Sequence, residues 1–142
     1  MDAKQLSVFI ENRKGRLEET LKVLKDGGIN ILSLSLADTS EYGLLRLIVG
    51  DPEKAKKELT DKGFKAMLTD VLVVKIAHTV GALQELLCAL SNSEISVEYM
   101  YGLSASGNDS SVVIKTNKLD EAKAIVIKKG LSLMTSEELI NL

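Results

Sequence analysis

The sequence contains one pattern twice, and this internal repeat is the feature that most restricts its fold. The two copies read Gly15-Arg16-Leu17 followed by Gly28-Ile29-Asn30-Ile31, and, 66 residues later, Gly81-Ala82-Leu83 followed by Glu94-Ile95-Ser96-Val97. Further along, Gly63 matches Gly130 at a separation of 67, which a single insertion in one loop explains. We therefore predict two copies of one fold, a first domain of residues 1–70 and a second of residues 71–142.

Each copy is predicted to begin with a strand, a tight glycine turn and a helix. In the first copy Leu6, Val8 and Ile10 alternate along the chain as in a half-buried strand, and leucines recur at helical spacing after Gly15. The first N–H groups of a helix have no partner within it, so such a turn can bind a carboxylate or a phosphate. In the alternative interpretation, Gly15 only makes the turn sterically possible.

The remaining patterns predict the order βαββαβ in each copy. Strands are expected over 5–10, 29–37, 44–49, 64–69, 71–76, 95–104, 111–116 and 131–135, and helices over 16–26, 52–62, 82–92, 119–129 and, as a short tail, 136–142. Asp51 is the predicted N-cap of the second helix, with Pro52 at its first position. Asp70 is predicted to be the only linker between the copies, and Gly107-Asn108 is a predicted turn. This order is that of the ferredoxin-like α+β fold, an antiparallel sheet with helices on one face.

The sheet face away from the helices is predicted to be apolar. Phe9, Leu44 and Ile48 point to that face if Val8 and Leu45 point toward the helices. Because an exposed apolar patch usually requires a cover, we expect a second copy of the chain, as in a homodimer, or the other half to pack there. The alternative is a set of scattered surface apolar residues.

Composition excludes several classes of function. A net charge of −2 with mixed signs, 4% aromatic residues and no tryptophan argue against nucleic-acid and membrane-surface binding. No apolar run is long enough to span a membrane, and the N-terminus does not resemble an export signal. A single cysteine, Cys88, cannot form an internal disulfide, which predicts a cytoplasmic protein. Cys88 is expected to be a small packing residue among the leucines of its helix.

The stretch Glu11-Asn12-Arg13-Lys14-Gly15-Arg16-Leu17, followed by Gly28-Ile29-Asn30-Ile31, resembles the ACT domain. This is a small βαββαβ regulatory module of enzymes of amino-acid metabolism, and the motif is most similar to the serine-sensing module of phosphoglycerate dehydrogenases. The resemblance covers nearly the whole chain as two tandem copies. It implies that Asn12 and Gly15 hold an amino acid and that Asn30 reaches in from a paired domain. Lys14 replaces the usual proline before the glycine, which loosens the turn.

The second copy departs further from this motif. His78, Gly81 and Ser96 stand at the places of Asn12, Gly15 and Asn30. Side-by-side pairing of the halves, as the resemblance implies, would join the Asn12 loop to Ser96 and the His78 loop to Asn30 in two inequivalent pockets. The residues predicted to contact a ligand are Glu11, Asn12, Arg13, Lys14, Gly15, Arg16, Leu17, Asn30 and Ile31 in the first copy, and His78, Thr79, Val80, Gly81, Ala82, Leu83, Ser96 and Val97 in the second.

The predicted ligand is a free amino acid. Backbone N–H groups of residues 14–17 can bind its α-carboxylate, and Asn12, Asn30 or a strand carbonyl can accept from its α-ammonium group. Polar residues expected around its side chain, which slightly favour a polar or ionisable amino acid, are Ser33, Ser35, Asp38 and Glu98. His78 has neither a nucleophile nor a further Cys or His beside it in the sequence, so it is predicted to be a ligand contact or a solvent-facing residue. No metal and no cofactor are expected.

The resulting prediction is a non-enzymatic amino-acid sensor that regulates a partner protein or its own oligomer. Two alternatives remain open. One is a ligand-free interaction module, favoured by the loss of both asparagines in the second copy. The other is an acylphosphatase-like hydrolase, for which Arg13 and Arg16 could supply charge, although the sequence contains no catalytic motif.

Overall fold

The computed structural model describes residues 2–38, 41–76, 81–104 and 110–142. These residues form two compact units, a first consisting mainly of Lys4–Thr69 and a second consisting mainly of Asp70–Ile140. The elements are, in order, β1 (Ala3–Glu11), α1 (Arg16–Asp26), β2 (Ile31–Asp38), β3 (Tyr42–Val49), α2 (Pro52–Asp61), β4 (Lys65–Ile76), α3 (Ala82–Asn92), β5 (Val97–Ser104), β6 (Ser110–Thr116), α4 (Leu119–Lys128), β7 (Ser132–Leu133) and α5 (Ser136–Ile140). The bounds of α1 and α3 are those predicted from the sequence.

The first unit is a sheet with the strand order β2-β3-β1-β4 and two helices. β3 pairs antiparallel with both β1 and β2, and Leu47 lies opposite Leu6 on one side and Leu34 on the other. The core lies between this sheet face and the helices. Its buried members are Leu6, Val8, Ile10, Leu24, Ile29, Leu45, Leu47, Val49, Ala55, Leu59 and Phe64. β2 is the edge strand, and Leu34 and Leu36 are each 50% exposed on it.

The second unit repeats this construction. β6 lies between β4 and β5 in antiparallel pairs, and the two-residue strand β7 pairs with β4. Helices α3 and α4 cover the sheet with Leu86, Leu90, Ala122 and Val126, all of them buried. The order of elements in both units is therefore the predicted ferredoxin-like one.

Helix α1 ends as the glycine pair predicted. Gly28 has a φ of +69°, a conformation that glycine adopts without steric cost. Its N–H donates to the Lys25 carbonyl at 3.0 Å, and the Ile29 N–H donates to the Leu24 carbonyl at 2.9 Å. The turn therefore satisfies the last carbonyls of the helix and places Ile29 in the core.

Helix α2 begins with the predicted cap, and its removal has a measurable expected cost. The Asp51 side chain accepts a hydrogen bond from the Lys54 N–H at 3.2 Å, and Pro52 takes the first helical position. Replacing Asp51 with alanine should lower the free energy of unfolding by about 1 kcal/mol, because that N–H loses its acceptor. Urea denaturation measures the change. Asp51→Asn, which keeps an acceptor, should stay close to wild type, and equal losses in the two variants would contradict the capping role.

Three predictions about elements are wrong. Residues 65–76 form one continuous strand, β4, so Asp70 is a strand residue and not a linker. The strand tolerates this charged residue because the Asp70 side chain is exposed to solvent. β7 has two residues where five were predicted, because it pairs with β4 only at Val74 and Lys75. Cys88 is exposed and accepts a hydrogen bond from Gln84 Nε2 at 3.0 Å, since Leu86 and Leu90 define the buried face of α3.

Residues of the first sheet that point away from its helices differ in exposure. Phe9 and Leu44 lie opposite each other and are half-buried, and Ile48 is fully buried. The Phe9 ring lies 5.9 Å from that of Tyr42, which is 43% exposed. The burial of Ile48 makes the alternative of scattered surface residues wrong at that position. The predicted turn at Gly107-Asn108 lies outside the described residues.

The tail forms the short helix α5. Thr135 Oγ1 accepts from the Glu138 N–H at 3.2 Å, and Lys75 Nζ lies 3.0 Å from Glu138 Oε2. The hydrogen bond from Lys75 lowers the pKa of Glu138, so this contact stabilises the fold at neutral pH and is lost as the pH falls through the lowered pKa. Within the described ranges, no helix is long and apolar enough to cross a membrane.

Candidate functional site

The loop between β1 and α1 turns sharply at Gly15. The Arg13 N–H donates to the Glu11 carbonyl at 2.8 Å, and the Glu19 N–H donates to the Gly15 carbonyl at 3.0 Å. Gly15 has a φ of +86° and forms the N-cap of α1 without a side-chain cap. The backbone N–H groups of Gly15, Leu17 and Glu18 donate to no atom of the described part of the chain. These are the helix-end donors that an anion can bind.

A cavity of about 510 Å³ lies against this loop, within the first unit. It is bounded by the end of β1, the loop, the first turn of α1, and one residue each from β2 and β3. Its lining residues are Ile10, Glu11, Asn12, Arg13, Lys14, Gly15, Leu17, Glu18, Leu36 and Gly43. Six of the predicted ligand-binding residues are thus brought together, and apolar side chains complete the wall.

Charges of both signs line this cavity. Arg13 Nε lies 3.0 Å from Glu11 Oε2, so these two exposed residues form an ion pair. Lys14 and Glu18 form no ion pair with any residue that the structure describes. The Asn12 side chain is exposed and likewise has no hydrogen-bond partner among those residues. The loop therefore offers an amide and two opposite charges to a ligand.

Arg16 is placed differently from the other loop residues. Its side chain is 14% exposed, its guanidinium lies 3.8 Å from the centre of the Phe64 ring, and Nη1 lies 2.9 Å from Glu19 Oε2. It does not line the cavity. The acylphosphatase-like alternative required free arginine charge in this loop, whereas Arg16 packs on the core and Arg13 forms an ion pair with Glu11.

Asn30 and Ile31 lie apart from the loop cavity. They line a separate, open depression with residues of α1 and the turn that follows it. The Asn30 carbonyl accepts from the Gly50 N–H at 2.9 Å, and the Asn30 side chain is exposed. Asn12 and Asn30 of the first unit therefore do not line one pocket.

The second copy keeps the glycine turn. Gly81 has a φ of 86° and a ψ of −4°, against 86° and −8° at Gly15, and the Glu85 N–H donates to its carbonyl. Ala82, Leu83 and Val97 pack against the core of the second unit. The Ser96 N–H donates to Asn117 Oδ1 at 3.1 Å. His78, Thr79 and Val80, which were predicted to contact a ligand, lie outside the described residues.

Two of the residues expected around the ligand side chain, Ser35 and Glu98, do not line the cavity. Glu98 is paired with Lys115 at 3.1 Å in the second unit, and Ser35 lies opposite Arg46 on the sheet. Leu36 and Glu18 line the cavity instead. Their positions carry a sequence signal, since Glu18 falls in the first turn after Gly15 and Leu36 alternates with the serines of β2. No cluster of three metal-binding side chains occurs in the described ranges.

The profile of the ACT domain pair family matches the chain over residues 1–142. The chain belongs to the ACT domain pair family. The fold expected from the sequence, two tandem ferredoxin-like ACT domains, is thereby confirmed. A comparison with curated protein sequences found no match.

Solved structures agree with this assignment of the ACT domain pair. Protein BT0572 from Bacteroides thetaiotaomicron is 38% identical, with a TM-score of 0.92 over 100% of this chain and 98% of its own. The regulatory subunit of aspartate kinase from Thermus thermophilus, in a ligand-free form, is 16% identical with a TM-score of 0.60, over 90% and 93% of the two chains. The same subunit from Thermus flavus is 19% identical with a TM-score of 0.61, over 90% and 92%. At these lower identities the likeness establishes the fold.

Proposed function

We propose that this ACT domain pair is a non-enzymatic regulatory protein that binds a free amino acid at the Gly15 loop of its first copy. The observation that carries the proposal is the cavity of about 510 Å³ lined by that loop. Its volume lies within the range of small-molecule sites, and its wall combines apolar side chains with a few polar groups, as such sites do.

The loop supplies a partner for each part of an amino acid. The N–H groups at the start of α1 suit the α-carboxylate, which the positive end of the helix also favours. The Asn12 side chain can accept from the α-ammonium group. Leu17 and Leu36 suit the aliphatic part of the ligand side chain.

A second ACT domain would complete the site. The resemblance assigns a role to the asparagine of the second element, and Asn30 lies outside the loop cavity of its own unit. The exposed leucines of the edge strand β2 support association of the chain into a homodimer, because an exposed apolar edge favours pairing with another strand. Leu36 belongs both to this edge and to the cavity wall.

The names of two similar structures support a regulatory role. Two of the similar structures are named regulatory subunits of aspartate kinase, and we propose an analogous output here, to a partner protein or to the oligomer of this chain. A ligand shifts such an equilibrium only if it binds the two arrangements unequally, typically by about 1–3 kcal/mol.

Differential scanning fluorimetry against the twenty standard amino acids, each at millimolar concentration, tests the proposal. A ligand that binds only the folded chain raises its melting temperature. We expect a rise of several degrees with one or two amino acids, polar or ionisable ones slightly favoured. The absence of a shift with all twenty would favour the alternative, a ligand-free interaction module, whose partner a pull-down would then identify.

A further inference from the structure

We propose that Lys14 and Glu18 recognise the two charges of a zwitterionic amino acid, so that the site rejects ligands lacking either charge. This inference rests on the proposed function and names the chemical class that the same site selects. Neither residue belongs to the asparagine and glycine set that the family resemblance implies.

The cavity wall contains one positive and one negative side chain that lie outside an ion pair among the described residues. Of its four ionisable side chains, Glu11 and Arg13 form an ion pair at 3.0 Å. Lys14 and Glu18 remain, one positive and one negative, without an ion-pair partner in the described part of the chain. A cavity wall with one charge of each sign outside an ion pair complements a ligand that carries both charges.

The Glu18 carboxylate lies close to the glycine turn. Its Oε2 atom lies 3.7 Å from the position that a Cβ atom on Gly15 would occupy. The carboxylate therefore lies beside the left-handed turn at Gly15. The α-carboxylate and α-ammonium groups of an amino acid share one carbon and are close neighbours, so both can be bound here at once.

Each group then has a defined role. The N–H groups at the start of α1 and the Lys14 ammonium bind the α-carboxylate, and the Glu18 carboxylate accepts from the α-ammonium. Charge-assisted hydrogen bonds of this kind are the stronger ones, and a carboxylate left opposite an uncharged group loses that gain. A deaminated acid and an amino-acid amide should therefore both bind poorly.

The internal repeat provides a comparison within the chain. At the positions 66 residues later, valine replaces Lys14 and glutamine replaces Glu18, as Val80 and Gln84. Gln84 Nε2 donates to Cys88 Sγ at 3.0 Å. The copy that keeps the two asparagines thus also carries both charges, while the copy that lost the asparagines lost the charges too.

A carboxylate in the first turn of a helix also stabilises that helix electrostatically. This role would affect the melting temperature of Glu18 variants, but it would not affect how well the site discriminates between ligands. The test therefore measures how strongly each variant prefers the free amino acid over its analogues.

Isothermal titration calorimetry on the full chain uses three probes: the amino acid that gives the largest thermal shift among the twenty, its deaminated acid and its amide. Wild type should prefer the free amino acid over both analogues by more than tenfold. Glu18→Gln should raise the Kd for the amino acid by about ten- to a hundredfold and remove the preference over the deaminated acid. Lys14→Met should reduce the preference over the amide, by a smaller factor because the N–H groups at the start of α1 still bind the α-carboxylate.

Glu85→Gln is the matched control, because Glu85 lies in the first turn of the equivalent helix α3. Its affinities should equal those of wild type. An unchanged preference over the deaminated acid in Glu18→Gln, in a variant with a cooperative melt, would overturn the assignment of Glu18 and leave the proposed function standing. Failure of all twenty amino acids to bind wild type would overturn both.

Discussion

Replacing Gly15 with valine is expected to abolish amino-acid binding while the chain still folds. Gly15 has a φ of +86°, which a β-branched residue adopts only with strain, of about 1–3 kcal/mol. The turn would relax, and the N–H groups at the start of α1 would move from the position where they converge on the cavity. The thermal shift given by the best amino acid should disappear, and the unliganded melting temperature should fall by a few degrees.

Gly81→Val is the matched control for this experiment. Gly81 has the same φ and the same place before its helix, so its replacement should cost a similar free energy of unfolding. Because the proposed site belongs to the first copy, ligand binding should survive in Gly81→Val. Undiminished affinity in Gly15→Val would contradict the loop as the site. Equal loss of binding in both variants would indicate that the second loop contributes to it.

The largest expected effect on stability comes from Leu24→Ala. The Leu24 side chain is fully buried between α1 and the first sheet. Truncation removes apolar burial and leaves a cavity, which together cost about 2–5 kcal/mol. The equivalent Leu90 of α3 is also fully buried, and Leu90→Ala should cost a similar amount in the second unit. Urea denaturation measures both free energies of unfolding.

Ile127→Ala is the control for these two core variants. Ile127 lies on α4 and is 65% exposed, so its truncation should change the free energy of unfolding by less than about 0.5 kcal/mol. A cost for Leu24→Ala as small as that of Ile127→Ala would show that the first core is not packed around this leucine.

The helices and turns of this ACT domain pair could be predicted from the sequence because their signals are local. A leucine period bounded by Gly15 and Gly28 fixes both ends of α1, and Asp51-Pro52 fixes the start of α2. β4 was predicted as two strands because Asp70 looks like a break. Whether a strand continues depends on its pairing with neighbouring strands, and an exposed charged side chain destabilises a strand little. The residues around Asp70 alone therefore do not show that β4 is continuous.

The candidate site could be predicted only in part, for a similar reason. The sequence motif identifies the loop from Glu11 to Gly15, and the structure places a cavity against it. The motif does not give the direction of each side chain. Arg16 packs on Phe64 because its aliphatic stem and flat guanidinium fit an aromatic ring, while Glu18, two residues further along the helix, lines the cavity.

The uninterrupted strand β4 limits the insertions and deletions that the chain can accept between its two copies. Ala66 and Leu68 pack against the first core, and Leu72 and Val74 belong to the second. Since side chains alternate along a strand, one codon gained or lost at Asp70 would turn one of these sets away from its core. The continuity of β4 therefore disfavours a change of length at the junction between the copies. The length difference between the repeats lies elsewhere, between Val97 and Ala122, where a loop can absorb it.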